Sequence, residues 1–370
     1  MYVVADISID PFFHSVPYRK KPENFPLFRA HVRCGAGTSR VRFGTQNRLG
    51  PVATQKMFTG LERRPTAQKL ARRAAIERRA ERTGKSFRRH PGRHALERVF
   101  LKPLLKAALQ STGLYARGVR NATSPVIRNL SLQFPDLPAA FDGFRILHLS
   151  DLHIDCVEHL ADAVADSLAG LDADVCLMTG DYRFAIEGAC DASWAGMRRV
   201  LSNVTAPDGV YAILGNHDPC EMAEGLESMN VEMLINDSVE LRRGRSSIWI
   251  AGTDDSYDYR FDDLPAAMSQ IPPSGFKVLL AHTPDAYRSA YEADVHLYLC
   301  GHTHAGQIRL PFIGSVIQNS EAPRAYTHGY WNHHGMHGYT SAGIGASMLP
   351  VRFNCPPEIV VIELRRTQTR

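Results

Sequence analysis

Five short apolar runs in this chain each stop abruptly at a cluster of Gly, Asp, Asn and His. FRILHLS (144–150) runs into Asp151-Leu152-His153, and ADVCLMTGD (173–181) ends on Gly180-Asp181. GVYAILGNHD (209–218) ends on Gly215-Asn216-His217-Asp218, KVLLAHTPD (277–285) carries His282, and VHLYLCGHTH (295–304) ends on Gly301-His302-Thr303-His304. Short continuous apolar runs bounded by turn residues read as strands buried on both faces. VEHLADAVADSLAG (157–170) reads as a helix, VIRNLSLQF as an alternating strand, VELRRG with SSIWIAGTDD (238–255) as a hairpin, and EIVVIEL (358–364) as a closing strand. Strands alternating with helices, then hairpins, predict an α/β domain with mixed sheets over 125–370. In open α/β sheets ligands bind outside the carboxyl ends of the strands. Clusters far apart in sequence therefore have a route to one crevice.

Carboxylates, an amide and imidazoles together suit borderline divalent transition metals. Asp151 and His153 are two residues apart, as are His302 and His304, and an extended backbone would point each pair to one side. Glycines before the ligands permit close approach and positive φ. With Asp181, Asn216 and His282 the candidates number seven, more than one tetrahedral zinc uses. Two ions sharing a bridging carboxylate fit better, at a spacing of about 3.5–4 Å. Such a pair lowers the pKa of a shared water toward about 7, and the hydroxide attacks phosphorus in line. Mn, Fe, Zn, Co and Ni all suit this oxygen and nitrogen set.

DLH, GD, GNHD, a single His and GHTH, in this order, resemble the calcineurin-like metallophosphoesterase superfamily over roughly residues 141–365. HAGQIRLP after the histidines, and SAGIGASMLPVRFNCPPEIVVIEL near the end, resemble its bacterial YkuE-like phosphodiesterase branch. The resemblance implies a four-layer α/β/β/α sandwich of two mixed sheets. It implies one metal held by Asp151, His153, Asp181 and His304, and a second by Asp181, Asn216, His282 and His302, with Asp181 as the bridge. His217 matches the family's non-ligand catalytic histidine, with Asp218 oriented to hold it. Arg183, two residues past Asp181, has a guanidinium fork suited to a substrate phosphate; a plain surface arginine is the other reading. Gly343 and Gly345 are expected to shape a loop near the cleft.

Two function classes follow. One is a metal-dependent phosphodiesterase or pyrophosphohydrolase, with a phospholipid or nucleotide-sugar-lipid as the substrate that some relatives suggest. The other is a non-catalytic protein-binding scaffold on the same fold, which degenerate ligand positions would favour; here all are filled.

Charge divides the chain. Residues 1–140 hold 27 Lys and Arg against 8 Asp and Glu, whereas residues 141–370 hold 16 against 30. Two regions with different tasks are implied. Residues 1–56 lack periodicity and read as disordered, or as an extension preceding a native start at Met57. Residues 57–124 read as a basic helical extension. TAQKLARRAAIERRAERTGKSFRRH (66–90) offers mostly alanine on its apolar face, and ALERVFLKPLLKAALQ (95–110) has Leu and Phe at helical spacing with Pro103 expected to kink or interrupt it. Three readings compete for residues 60–120: a solvated extension packed on the domain, attachment to an anionic membrane surface, and nucleic-acid binding, which lacks a recognisable motif or an aromatic stacking ladder. The seven cysteines form no CxxC pair and read as reduced thiols. No run reaches the roughly 18 apolar residues of a spanning helix, and the N-terminus lacks a signal-peptide pattern. The expected location is cytoplasmic or peripheral on the inner membrane face.

Overall fold

The structure, a computed structural model, describes residues 66–84, 87–88, 97–315 and 319–367. All belong to the unit Glu62–Arg370. The expectations for residues 1–56 and for a start at Met57 lie outside the described residues.

The basic segment forms helix α1 (Ala71–Thr83), which ends on Gly84 in the left-handed conformation, φ 63°. Its alanine-rich face does not supply the docking. Leu70 enters the core and the Arg73 side chain is fully buried. After a π-helical turn (Glu97–Leu101) comes α2 (Lys102–Ser111). Pro103 follows closely on the π-helical turn, with Leu101 still helical (φ −69°, ψ −46°), so the helical run changes geometry at the proline, in line with the expected interruption. Helix α2 buries no side chain. Helix α3 (Leu114–Ala122) packs so closely that a Cβ on Gly118 would lie 2.8 Å from Phe353 and Val351.

Two six-stranded mixed sheets follow. The first has the order β1 (Val126–Phe134), β14 (Glu358–Arg366), β2 (Phe144–Leu149), β3 (Val175–Met178), β4 (Val210–Ala212), β5 (Glu232–Met233). Strands β2 to β5 run parallel, and β14 is antiparallel to β2 but parallel to β1. The second has the order β12 (Gly329–His333), β13 (Met336–Thr340), β9 (Leu297–Cys300), β8 (Phe276–Leu280), β7 (Ser246–Gly252), β6 (Asp237–Arg243). Here β7, β8, β9 and β13 are parallel. A small hairpin, β10 (Arg309–Leu310) with β11 (Gly314–Ser315), stands apart.

The period of two along each strand sends alternate side chains to opposite faces. Ile146, Val175, Leu177 and Ile213 meet Ile248, Ile250, Val278, Leu280 and Leu299 between the sheets. Leu147, Leu149, Cys176 and Met178 face outward onto α4 (Leu160–Leu168), α5 (Asp191–Leu201) and α6 (Cys220–Glu227). Ala251, Leu279, Tyr298 and Cys300 face α7 (Leu264–Met268) and α8 (Tyr287–Glu292). The layers are therefore helix, sheet, sheet, helix. Strands β3, β8 and β9 are buried along their whole length, which is why they read as unbroken apolar runs. At about 1.5–3 kcal/mol per buried Leu, Ile, Val or Phe, the inter-sheet layer is a main source of stability. Stacking two parallel-centred sheets also brings the carboxyl ends of β2, β3, β4, β8 and β9 to one rim.

Candidate metal centre

Each ligand candidate sits just past the last residue of one of those strands. The backbone there is unusual. Asp151 (φ 47°), His153 (35°), Asp181 (57°), His302 (67°) and His304 (49°) all adopt left-handed conformations. The extended backbone expected to align Asp151 with His153, and His302 with His304, is therefore absent. Both pairs are brought round by tight turns that start one residue after the strand. A left-handed non-glycine residue costs about 1–3 kcal/mol, and such strain clusters at functional sites.

Glycines make the convergence sterically possible. A Cβ on Gly301 would lie 2.0 Å from Asp151 Oδ2, and one on Gly215 would lie 2.2 Å from Asp181 Oδ1. Gly343 and Gly345 back the first loop, where a Cβ would come within 2.7 Å of Asp151 Cβ and 2.6 Å of His153 Cβ respectively.

The side chains of Asp151, His153 and His304 form one group whose potential ligand atoms lie within 4.8 Å of one another. Asp181, His282 and His302 form a second, and His153, Asp181 and His217 a third. Asp181 Oδ2 lies 3.5 Å from His153 Nε2 and 3.5 Å from His282 Nε2, so its carboxylate stands between the two sets. Asn216 Oδ1 lies 3.0 Å from His282 Nε2 and 3.0 Å from His302 Nδ1. All seven predicted ligands are thus gathered in one place, and all are buried.

The donors' hydrogen bonding favours cations. His282 Nδ1 lies 2.8 Å from Thr179 O, and His153 Nδ1 lies 2.7 Å from Arg183 O. Only a protonated nitrogen satisfies a carbonyl, so each imidazole turns a lone pair on Nε2 toward the centre. Asn216 Nδ2 donates to Asp258 (3.2 Å), which likewise turns Oδ1 inward. Lone pairs of His282, Asn216 and Asp181 therefore face one another, an arrangement that a cation relieves. His302 Nε2 is buried without a hydrogen-bond partner among the described residues. A proton competes with a metal ion for that His282 Nε2 lone pair. Burial alone would lower His282, but the Asp181, Asp151 and Asp255 carboxylates outweigh it and push its pKa up to about 10. Burial would raise Asp181, yet His282 and His217 hold it well below the usual carboxylate range. The residues present fit divalent metal ions.

His217 is half-buried beside the first set, its ring centroid 4.7 Å from that of His153. Burial pushes its pKa down to about 3. Its Nδ1 lies 2.9 Å from Phe184 O. Asp218 does not hold His217 as expected. Its carboxylate accepts the backbone N–H groups of Asp181, Tyr182 and Gly215 and so ties two ligand loops together. Arg183 is neither a surface residue nor aimed at a substrate. It is 2% exposed and donates to Ala185 O, Gly188 O and Cys190 Sγ, bracing its own loop.

Sequence reasoning passed over several supporting groups. Asp254, Asp255 and Asp258 lie on the loop after β7, another buried strand that runs into carboxylates, and that shared pattern was the available signal. Asp255 accepts three backbone N–H groups of its loop, from Tyr257, Asp258 and Tyr259. Arg352, fully buried, donates to Ala342, Gly343 and Gly345 carbonyls and holds the turn behind Asp151.

A family described as calcineurin-like phosphoesterase matches residues 144–306. The chain is 31% identical over 241 residues to an uncharacterised metallophosphoesterase, YkuE, of Bacillus subtilis, covering 62% of this chain and 82% of that protein. It is 30% identical over 231 residues to the phosphodiesterase YaeI of Escherichia coli, covering 60% and 82%. A second Bacillus subtilis metallophosphoesterase, YkoQ, is 25% identical, with 65% and 90% covered. With a strand-end histidine and carboxylate cluster on two mixed sheets, and relatives of this kind, the chain belongs to the calcineurin-like phosphoesterase family and is a metal-dependent phosphoester hydrolase.

Proposed function

We propose that this protein hydrolyses phosphodiester or pyrophosphate bonds with a pair of divalent ions, drawn from Mn, Fe, Zn, Co or Ni. One ion is held by Asp151, His153, Asp181 and His304, the other by Asp181, Asn216, His282 and His302. The observation that carries this reading is the Asp181 carboxylate, 3.5 Å from a histidine of each set. Bound there, the ions supply Lewis acidity, activating a water and offsetting charge on the phosphoryl oxygens.

The chain's own residues do the rest. Asp181 Oδ1 accepts the His217 backbone N–H (2.8 Å), which locks the catalytic loop to the bridge position. Donation from Nδ1 to Phe184 O leaves His217 Nε2 as the nitrogen for a substrate. A phosphoester's negative charge beside it favours protonation of that nitrogen. It then donates to the departing oxygen. The catalytic unit in this reading is 125–370. Reconstitution with manganese and assay on bis-p-nitrophenyl phosphate tests the function. A metal-loaded protein inert on mono- and diesters alike would favour the scaffold reading instead.

A lipid-linked substrate and an anionic membrane surface belong to the same proposal. Val99, Phe100 and Leu104 are 56%, 66% and 70% exposed, next to Lys102 and Lys106. Lys102 Nζ lies 5.5 Å from the Phe184 ring, which borders His153. The apolar ridge thus begins beside the site. Among the described residues no helix is long and apolar enough to cross a membrane. The six described cysteines are free thiols, in keeping with a cytoplasmic protein peripheral on the inner face. Flotation with phosphatidylglycerol vesicles should capture the protein, and L104D with F100D should abolish capture; equal flotation of both proteins would refute the reading.

A further inference from the structure

We propose that the N-terminal segment 66–88 is a working part of the metal centre, in which Arg88 and Arg73 are positioning residues that hold Asn216 with its amide oxygen facing His282 and His302. The inference rests on the metal-centre reading above and extends it to residues outside the family match, which begins at 144.

An asparagine amide has nearly the same shape either way round, so its partners decide which atom faces the centre. Asn216 Nδ2 donates to Asp258 Oδ2, and that same oxygen is paired with Arg88 Nη1 at 2.5 Å. Arg88 Nη2 also reaches Asn216 O, at 3.3 Å. Asp258 is 2% exposed, and a carboxylate so buried needs polar partners that fix its position. Arg88 meets that need from the N-terminal segment. Were Asp258 to swing away, Asn216 could turn its NH2 group toward the two histidines, where a ligand oxygen belongs.

Arg73 acts on the backbone of the same loop. Its guanidinium donates to Gly215 O at 2.6 Å and to Asp218 O, the residues that bracket Asn216 and His217. It also pairs with the Asp254 carboxylate and lies 3.5 Å over the Tyr259 ring. The segment is seated at further points. Glu77 accepts from Cys220 N and Tyr259 OH, Lys69 pairs with Asp237, and the Phe87 ring lies tilted against that of Tyr259, centroids 4.6 Å apart. Buried ion pairs add little net stability compared with apolar packing, but they fix geometry. Here the fixed geometry is that of a ligand loop more than 120 residues away in sequence.

The test is metal affinity, measured by chelator competition with metal analysis of the same samples. R88M should bind one of its two ions about 10–100-fold more weakly, the size of effect seen when groups that orient metal ligands are removed, with the other ion within about two-fold of wild type. R88K, which keeps a cation for Asp258, should recover part of the loss. R73M leaves Asp254 buried without its counter-charge and risks unfolding, so R73K is the second variant: it keeps the charge and loses the fork. R73K should show the same selective loss, with an unchanged far-UV circular dichroism spectrum. Both ions bound with wild-type affinity in R88M and R73K would overturn the inference, as would equal weakening of both ions. A wild-type protein that binds no second ion would remove the metal-centre reading itself, and the inference with it.

Discussion

Gly215→Ala puts the convergence of the loops to a direct test. The added methyl would lie 2.2 Å from Asp181 Oδ1, 2.6 Å from Asp181 N and 2.8 Å from His282 Cε1. Each contact is roughly 1 Å inside normal van der Waals separation. The near atoms are a backbone nitrogen and two residues assigned to metal binding, so no flexible side-chain end can yield. Asp181 must shift by about 1 Å, which lengthens its 2.8 Å hydrogen bond from His217 N. Overpacking of this kind costs about 1–3 kcal/mol, and a misplacement of about 1 Å at the chemistry costs about 10²-fold in turnover. Gly170→Ala is the matched control. It imposes backbone strain at φ 76° with nothing within 4 Å, away from the site. Thermal melts, metal content and kcat/KM on bis-p-nitrophenyl phosphate should separate the two. G170A should lose stability alone, whereas G215A should lose at least one ion and about 10²-fold in kcat/KM. A G215A protein with full metal content and kcat/KM within two-fold of wild type would refute the close-packing argument.

Other outcomes follow from the same geometry. His217→Ala should retain its metal and lose about 10²–10⁴-fold in turnover on esters with poor leaving groups, the usual worth of a general acid; metal loss instead would make it a ligand. Arg183→Met should lower stability by about 1–3 kcal/mol, because Ala185 O and Gly188 O lose their buried donor, while KM stays within two-fold; a large rise in KM with unchanged stability would return Arg183 to the substrate. Burial pushes His148 down to about 3, below its unfolded value of about 6.5. The unfolded chain therefore binds the extra proton between those values, so this contribution is complete above about pH 6.5 and is lost as pH falls toward 3. In urea titrations His148→Gln should flatten the stability profile between pH 7 and 5 by up to about 1.4 kcal/mol per pH unit; superimposable profiles would contradict the buried neutral imidazole.

The strand-end clusters were legible because β3, β8 and β9 are buried on both faces, so their apolar runs are unbroken and their ends conspicuous. What those ends do in three dimensions was less legible. A spacing of two between Asp151 and His153 is the same in a strand and in a left-handed turn, and the turn is what forms. The family resemblance implied that Asp218 serves His217, yet its carboxylate lies where three backbone N–H groups converge, and those come from loops after two different strands. Arg73 was illegible for another reason. Among Arg72, Arg73, Arg78, Arg79 and Arg82 nothing local marks the one that is buried; its partners Gly215, Asp218 and Asp254 are defined only by the folded loop. Hairpin β12–β13 was also missed, since its NHHGMHG stretch carries little strand pattern.

Anomalous diffraction from crystals grown with manganese measures the central arrangement directly. Two peaks flanking the Asp181 carboxylate, one against Asp151, His153 and His304 and one against Asn216, His282 and His302, are the expected result. A single peak, or none within ligand distance of Asp181, would contradict it.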